Sequence, residues 1–197
     1  MSTTPQFDEQ RLTSAASLPD LICGRVSQFE CLPVTGALDL GDFRIPPRWH
    51  LAAPGDEAEQ PVRCIVTGHR LRGGWQACDT VAAFTFSGVV PLEVMVDNAD
   101  CTLRDLGAAG VSSRAVVAST IPGVAGMRSA GYFTALGLRI WGQFTTYIAD
   151  SRCLEMGRLI QHSLFVATQR RTQLRTDIRY LSDAIAKSFG DLVDGHH

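Results

Sequence analysis

The hydrophobic positions of this chain keep a regular phase only over its last third. From Met127 to Thr134, and again from Leu138 to Ala149, apolar and polar residues alternate with period two, and the Ala135-Leu136-Gly137 step between them predicts a hairpin. In the second of these strands Ile140, Phe144 and Ile148 point one way, and Trp141, Gln143, Thr145 and Tyr147 point the other. After Gly157, the residues from Arg158 to Thr168 are apolar in both phases, which predicts a central strand covered on both sides. Beyond Thr172, placed to cap a helix, Leu174, Ile178, Leu181, Ile185 and Phe189 recur at helical spacing until Gly190. This predicts an amphipathic helix lying across the sheet as a lid.

Upstream the pattern is shorter-ranged. Arg63 to Leu71 reads as a strand, Gly73-Gly74 as a turn, and Thr80 to Gly88 as a second strand. After Pro91 the spacing changes, and Leu92, Val96, Ala99, Leu103 and Leu106 predict a helix that Gly107 and Gly110 end. Arg114 to Ser119 is apolar and β-branched enough for a short strand, followed by a turn at IPGVAG. The stretch FRIPPRWHLAAPGDEAEQP reads as a strand entering an acidic connector, with Trp49 as an aromatic plug. Residues 21–43 fit short strands or a turn of helix equally well. The order of strand pair, helix, antiparallel strands and closing helix predicts an α+β domain, an antiparallel sheet flanked by helices, rather than a βαβ nucleotide fold. The expected organisation is a polar, Ser/Thr-rich flexible arm over 1–20, one domain over 21–190 and a tail over 191–197.

Charge and cysteine content narrow the function classes. The 197 residues carry a net charge of -2, so nothing in the overall field points to nucleic acid. Cys23, Cys31, Cys64, Cys78, Cys101 and Cys153 include no pair at the two-residue spacing of a zinc knuckle or redox motif, so no structural metal and no cofactor are expected. The N-terminal stretch lacks an apolar signal core, and LPDLICG lacks the basic and apolar run that precedes a lipidated cysteine. The expectation is a cytoplasmic protein with reduced thiols and no transmembrane segment.

The strings GMRSAGYFTALGLRIWGQFTTYIAD, RLIQHSLFVAT and DIRYLSDAIAKSF, with the upstream FRIPPRWH, resemble the LpqN/LpqT-type actinobacterial family with a Mog1/PsbP-like fold. The shared features are a Gly-x-x-Ser-x-Gly-Tyr strand, a Gly-led partner strand, an apolar third strand and a terminal helix ending in Phe, over roughly residues 43 to 190. The resemblance implies an α/β/α sandwich that binds or adapts without enzymatic machinery, often at the cell envelope as a lipoprotein. The chain departs from that pattern by lacking a lipidation site, and the resemblance carries over no catalytic residue.

Candidate chemistry is sparse. Cys64, Cys78 and His69 are the residues from which a Cys-His nucleophile could be built, but strand phase puts Cys64 and His69 on opposite faces. Asp97, Asp100 and Asp105 fit the solvated side of a helix better than a cation site, and His196-His197 fits an unstructured tail. GAAGVSSR lacks the context and lysine of a phosphate loop, and Ser129 has no nucleophile-elbow frame. The notable non-core set is Tyr132, Arg139, Trp141, Gln143 and Tyr147, because aromatics with arginine are the composition of protein-binding hot spots and shallow pockets. The competing reading, that the closing helix covers these residues as peripheral core, weighs more, since large aromatics are mostly buried. The functional expectation is a non-enzymatic protein-interaction or adaptor module; the alternatives are a small-ligand or lipid-binding domain and, third, an enzyme using an isolated Cys/His site.

Overall fold

The computed structural model describes residues 15–32, 44–52, 63–69, 74–117 and 120–195. Among them, eight strands form one antiparallel sheet: β1 (Ser27–Cys31), β2 (Trp49–Leu51), β3 (Arg63–His69), β4 (Trp75–Ser87), β5 (Ala109–Val117), β6 (Val124–Ala135), β7 (Leu138–Ala149) and β8 (Gly157–Ala167). The helices are α1 (Leu18–Cys23), α2 (Leu92–Asp97), α3 (Cys101–Asp105) and α4 (Arg175–Asp194). The strand order is β2-β3-β4-β8-β7-β6-β5, with β1 pairing on β4 beyond the end of β3.

The most periodic stretch forms the middle of this sheet. β6 and β7 stay in register from Val124↔Ala149 to Ala135↔Leu138, and the two-residue link Leu136-Gly137 has positive φ at both positions (51° and 73°). That is the turn whose twist matches a right-handed hairpin, which explains a glycine at its second position. β8 is inserted between β4 and β7 and is buried on both faces, as its two-sided apolar pattern predicts.

Helices cover both faces of the sheet. On one face α4 packs Leu181, Ile185, Phe189 and Val193 against Val81, Tyr147, Ile160 and Leu164, and Trp49 joins Ile65, Leu174 and Ile178 as the expected plug. The Trp49 indole also donates to Asp177 Oδ2 at 3.0 Å, tying the short β2 to the helix. On the other face α1 and α2 bury Leu18, Ile22, Val94 and Met95 against Phe86, Met127, Ile148 and Leu159, while Leu103 of α3 packs on Phe133 and Ala135.

Several boundaries differ from expectation for local reasons. β4 starts at Trp75 rather than Thr80. The predicted helix after Pro91 is two short helices, because the Asn98 side chain bonds back to the Val94 carbonyl at 2.9 Å and ends the first. β5 begins at Ala109, ahead of the expected Arg114. Helix α1 lies partly inside the stretch expected as a flexible arm: Ser17 and Asp20 form a capping box, and Ala16 is held on α3 by Thr102 Oγ1 and Asp105 Oδ2, both at 2.9 Å. Helix α4 passes through Gly190 to Asp194 with Val193 buried, so the expected tail is mostly helix. Thr172 does not cap it; the N-cap position is Leu174, which has no side-chain cap. The remainder of the arm (1–14), the acidic connector (53–62), and His196 and His197 lie outside the described residues.

The turn from β7 toward β8 is pinned by Asp150, a fully buried carboxylate that accepts from Val90 N at 3.0 Å and pairs with Arg152 at 2.7 Å. Gly123 packs directly on it with φ 84°, and a Cβ there would lie 2.1 Å from Asp150 Oδ1. Gly123→Ala is therefore expected to destabilise the protein by about 2–3 kcal/mol through left-handed strain and displacement of the carboxylate. Thermal unfolding would show it as a fall in Tm with the sheet signal retained at room temperature.

The sheet's margins are irregular. β5 is largely exposed, with register shifts between Ala109 and Ser112 and between Ala115 and Val117. At the opposite end β2 has three residues, and β1 carries its own shift between Ser27 and Glu30.

Candidate functional site

The face under α4 collects polar groups that strand phase aligns. Arg63, Asp79 and His162 come from the adjacent strands β3, β4 and β8, and register puts all three on one side of the sheet. Arg63 Nη2 lies 2.8 Å from Asp79 Oδ1, and His162 Nε2 lies 2.5 Å from Asp79 Oδ2. Asp79 and His162 are 0 % exposed and Arg63 is 6 % exposed. Burial by itself would push the Asp79 carboxyl up, but the charge and hydrogen bond of His162 and then those of Arg63 outweigh it and hold the carboxyl below its usual range. An Asp-His pair is a general-base arrangement, yet this one is sealed beneath the helix. It organises the interior.

Three of the five residues singled out in sequence are part of this covered layer. Trp141 is buried, Gln143 donates to Ser182 Oγ of α4 at 3.0 Å, and Tyr147 is fully enclosed with its ring 5.1 Å from that of Phe189. They do not form a free surface, because α4 lies over them. The other two, Tyr132 and Arg139, emerge where the sheet ends and α4 begins.

There the chain builds a small cationic and aromatic rim. Arg171, in the turn before α4, places its guanidinium 4.7 Å from the Trp141 ring centre and 5.6 Å from that of Tyr132, and it donates to the Tyr132 hydroxyl at 2.6 Å. Arg139 approaches the Tyr132 ring at 5.6 Å. A pocket of about 350 Å³ opens beside them, lined by Trp141, Arg171, Thr172, Arg175 and Ile178. None of Arg139, Arg171 and Arg175 is in an ion pair with a carboxylate among the described residues. Such a site suits a planar or anionic group: the guanidinium forks supply donors, and the rings hold Arg171 in place. Arg171 and Arg175 were not among the sequence candidates. The signal available was the run of arginines at 170, 171 and 175 between the last strand and the last helix.

The third cluster from the sequence separates. Cys64 and Cys78 meet on the face away from α4, with their sulfurs 3.7 Å apart. His69 does fall on the opposite phase from Cys64 and instead packs edge-on against Trp75 at 5.6 Å, where His50 also packs at 4.9 Å. Neither Cys64 nor Cys78 shares a face of the sheet with His69. Asp100 pairs with Arg104 at the surface, and Asp105 accepts from Ala16 N, so these two acidic positions do structural work. Among the described residues, no group of three or more His, Cys, Asp and Glu is arranged to hold a metal ion.

The chain shares its fold with LpqN. The crystal structure of that protein, described as involved in cell envelope biogenesis of Mycobacterium tuberculosis, superposes with a TM-score of 0.59 over 86 % of this chain and 96 % of LpqN, at 15 % sequence identity. At that identity the likeness extends to the LpqN-like architecture, an antiparallel sheet between helices, and to no individual side chain. No protein-family model matches the chain, and no curated protein sequence does.

Proposed function

We propose that this protein is a non-enzymatic interaction module on a Mog1/PsbP-like scaffold, which recognises an acidic segment of a protein partner at the rim formed by Tyr132, Arg139, Trp141, Arg171 and Arg175. The observation that carries this reading is the pair of guanidinium groups, Arg139 and Arg171, against the Tyr132 and Trp141 rings, with Arg175 lining the pocket beside them and none of the three paired with a carboxylate among the described residues. Arginine and aromatic side chains concentrate binding energy when a partner removes them from water, and unpaired arginines favour carboxylates.

The alternatives have less support. A lipid or small apolar ligand between sheet and helix would need space that Trp141, Tyr147, Leu181 and Phe189 occupy. Catalysis would need an accessible base, whereas the Asp79-His162 pair is enclosed and His69 stands apart from both thiols. Turnover of an ester, phosphate or thiol substrate that is lost on changing one polar residue would overturn the non-enzymatic reading.

Titration with acidic, neutral and basic peptides, followed through Trp141 fluorescence against a Trp141→Phe control, tests the site. Saturable binding is expected for acidic peptides alone, weakening with salt and falling at least about tenfold in Arg171→Ala/Arg175→Ala. Equal affinity for all three classes, or no effect of the double substitution, would refute it. The proposal places the encounter on the cytoplasmic side, and an envelope-related role like the one described for LpqN enters only through the shared fold. Recovery of the protein solely from washed outer-envelope fractions would refute that placement.

A further inference from the structure

The face of the sheet opposite α4 carries a feature that anion recognition does not use. Register pairs Cys64 with Thr80 and Val66 with Cys78, so the two cysteines sit two cross-strand pairs apart on β3 and β4, on the same face and diagonal to each other. Their sulfurs are 3.7 Å apart, and both residues are half-buried rather than enclosed. Cys78 also lines an open groove of about 280 Å³ whose other walls include Leu138, Ile140, Phe165 and Trp75. All six cysteines are thiols in the structure.

We propose that Cys64 and Cys78 form a redox-active dithiol that closes to a cross-strand disulfide by exchange with a small-molecule disulfide. The two sulfurs are already in contact at 3.7 Å, and the bond would close that gap to about 2.0 Å. The partial exposure that admits an oxidant also leaves the product open to reduction, which makes the link a reversible modification rather than a structural staple.

The roles of the two thiols differ. The hydrogen bond with Cys78 lowers Cys64 to about 7, against the opposing effects of its own burial and of the Asp79 charge, whereas the same hydrogen bond, with burial, raises Cys78. Within this proposal Cys64 takes the part of the attacking sulfur, and the serine variants below test that order. Its thiolate attacks one sulfur of the small disulfide, that S–S bond breaks, and one small thiolate leaves, giving a mixed disulfide on Cys64. Cys78 then loses its proton and attacks Cys64 Sγ, and the second small thiolate departs. Two cysteine thiols are oxidised, one small disulfide is reduced to two thiols, and the two cysteine protons end on the departing sulfurs.

The test uses the full chain carrying Cys23→Ser and Cys31→Ser, so that the exposed thiols do not compete. The protein is equilibrated over a series of reduced-to-oxidised glutathione ratios, acid-quenched, alkylated and mapped by mass spectrometry, with circular dichroism to confirm the fold. The expected result is loss of two thiols per chain and a Cys64–Cys78 cross-linked peptide in a monomer. Cys78→Ser is expected to accumulate glutathione on Cys64, and Cys64→Ser to slow modification of Cys78 at least about tenfold. Full alkylation of both cysteines in folded protein at the most oxidising ratio would overturn the proposal, as would cross-links to Cys101 or Cys153 in place of Cys64–Cys78. Should a serine variant fail to fold, the mapping on the chain that retains both cysteines decides.

Discussion

Replacing Asp79 with alanine is expected to remove about 3–5 kcal/mol of stability and lower Tm by roughly 10 °C. The loss comes from leaving Arg63 buried without its carboxylate and His162 without its acceptor, since both bonds converge on this one side chain. Asp79→Asn, which keeps the shape and deletes the charge, separates electrostatics from packing and is expected to retain most of the cost. The acid dependence follows in sign from the lowered carboxyl. Its contribution is fully present above the unfolded-state value of about 3.9 and is lost as pH falls through the still lower folded value, so the gap between wild type and Asp79→Asn should narrow below about pH 4. Denaturant unfolding at pH 7 and at successively lower pH measures this directly. A gap that stays constant into acid would show that the charge is not what holds the three strands. Replacing all three residues with apolar ones of similar volume is expected to restore much of the stability, because the cluster's strength lies in the cost of breaking it.

Phe189→Ala should cost a similar amount, about 3–5 kcal/mol, by opening a cavity between α4 and the sheet. Phe189 is 2 % exposed, stacks at a tilt on Tyr147 and belongs to the same buried set as Val81, Ile160 and Ile185. The helix is fixed at its other end by the Trp49–Asp177 bond and the Leu174–Ile178 contacts, so the surroundings can collapse only partly into the gap. Urea unfolding is expected to show a lower midpoint with an unchanged slope, while Arg179→Ala on the exposed side of α4 stays within about 0.5 kcal/mol of wild type. A midpoint shift no larger than that of Arg179→Ala would mean that α4 is not packed on the sheet through this ring.

What could be read from sequence follows how local each signal is. β7, β8 and α4 were legible because each carries its own period over ten or more residues, and the two-sided apolar pattern of β8 foretold its place inside the sheet. The start of β4 was not, because Cys78-Asp79-Thr80 looks like the polar lead-in to a strand when Asp79 is in fact its buried phase. A buried carboxylate and a solvated one look alike in sequence; only the register that brings β3, β4 and β8 together gives Asp79 its partners, one of them 83 positions away. The rim was half legible. Tyr132, Arg139 and Trp141 were visible as a composition on one hairpin, but Arg171 joins them from a turn whose path depends on where α4 begins, and that start was misplaced at Thr172.

The irregular margins of the sheet bear on how a partner can attach. An extended peptide adds to a sheet by pairing with a long, even row of free backbone groups. Here β2 offers three residues, and β1 and β5 are broken by register shifts, so no margin presents such a row among the described residues. The same breaks discourage two copies from zipping edge to edge. Recruitment by backbone pairing is thereby disfavoured, and under the proposed reading selectivity would fall to side chains at the end of the sheet, where exchanging a few arginines would retune the partner without disturbing the fold.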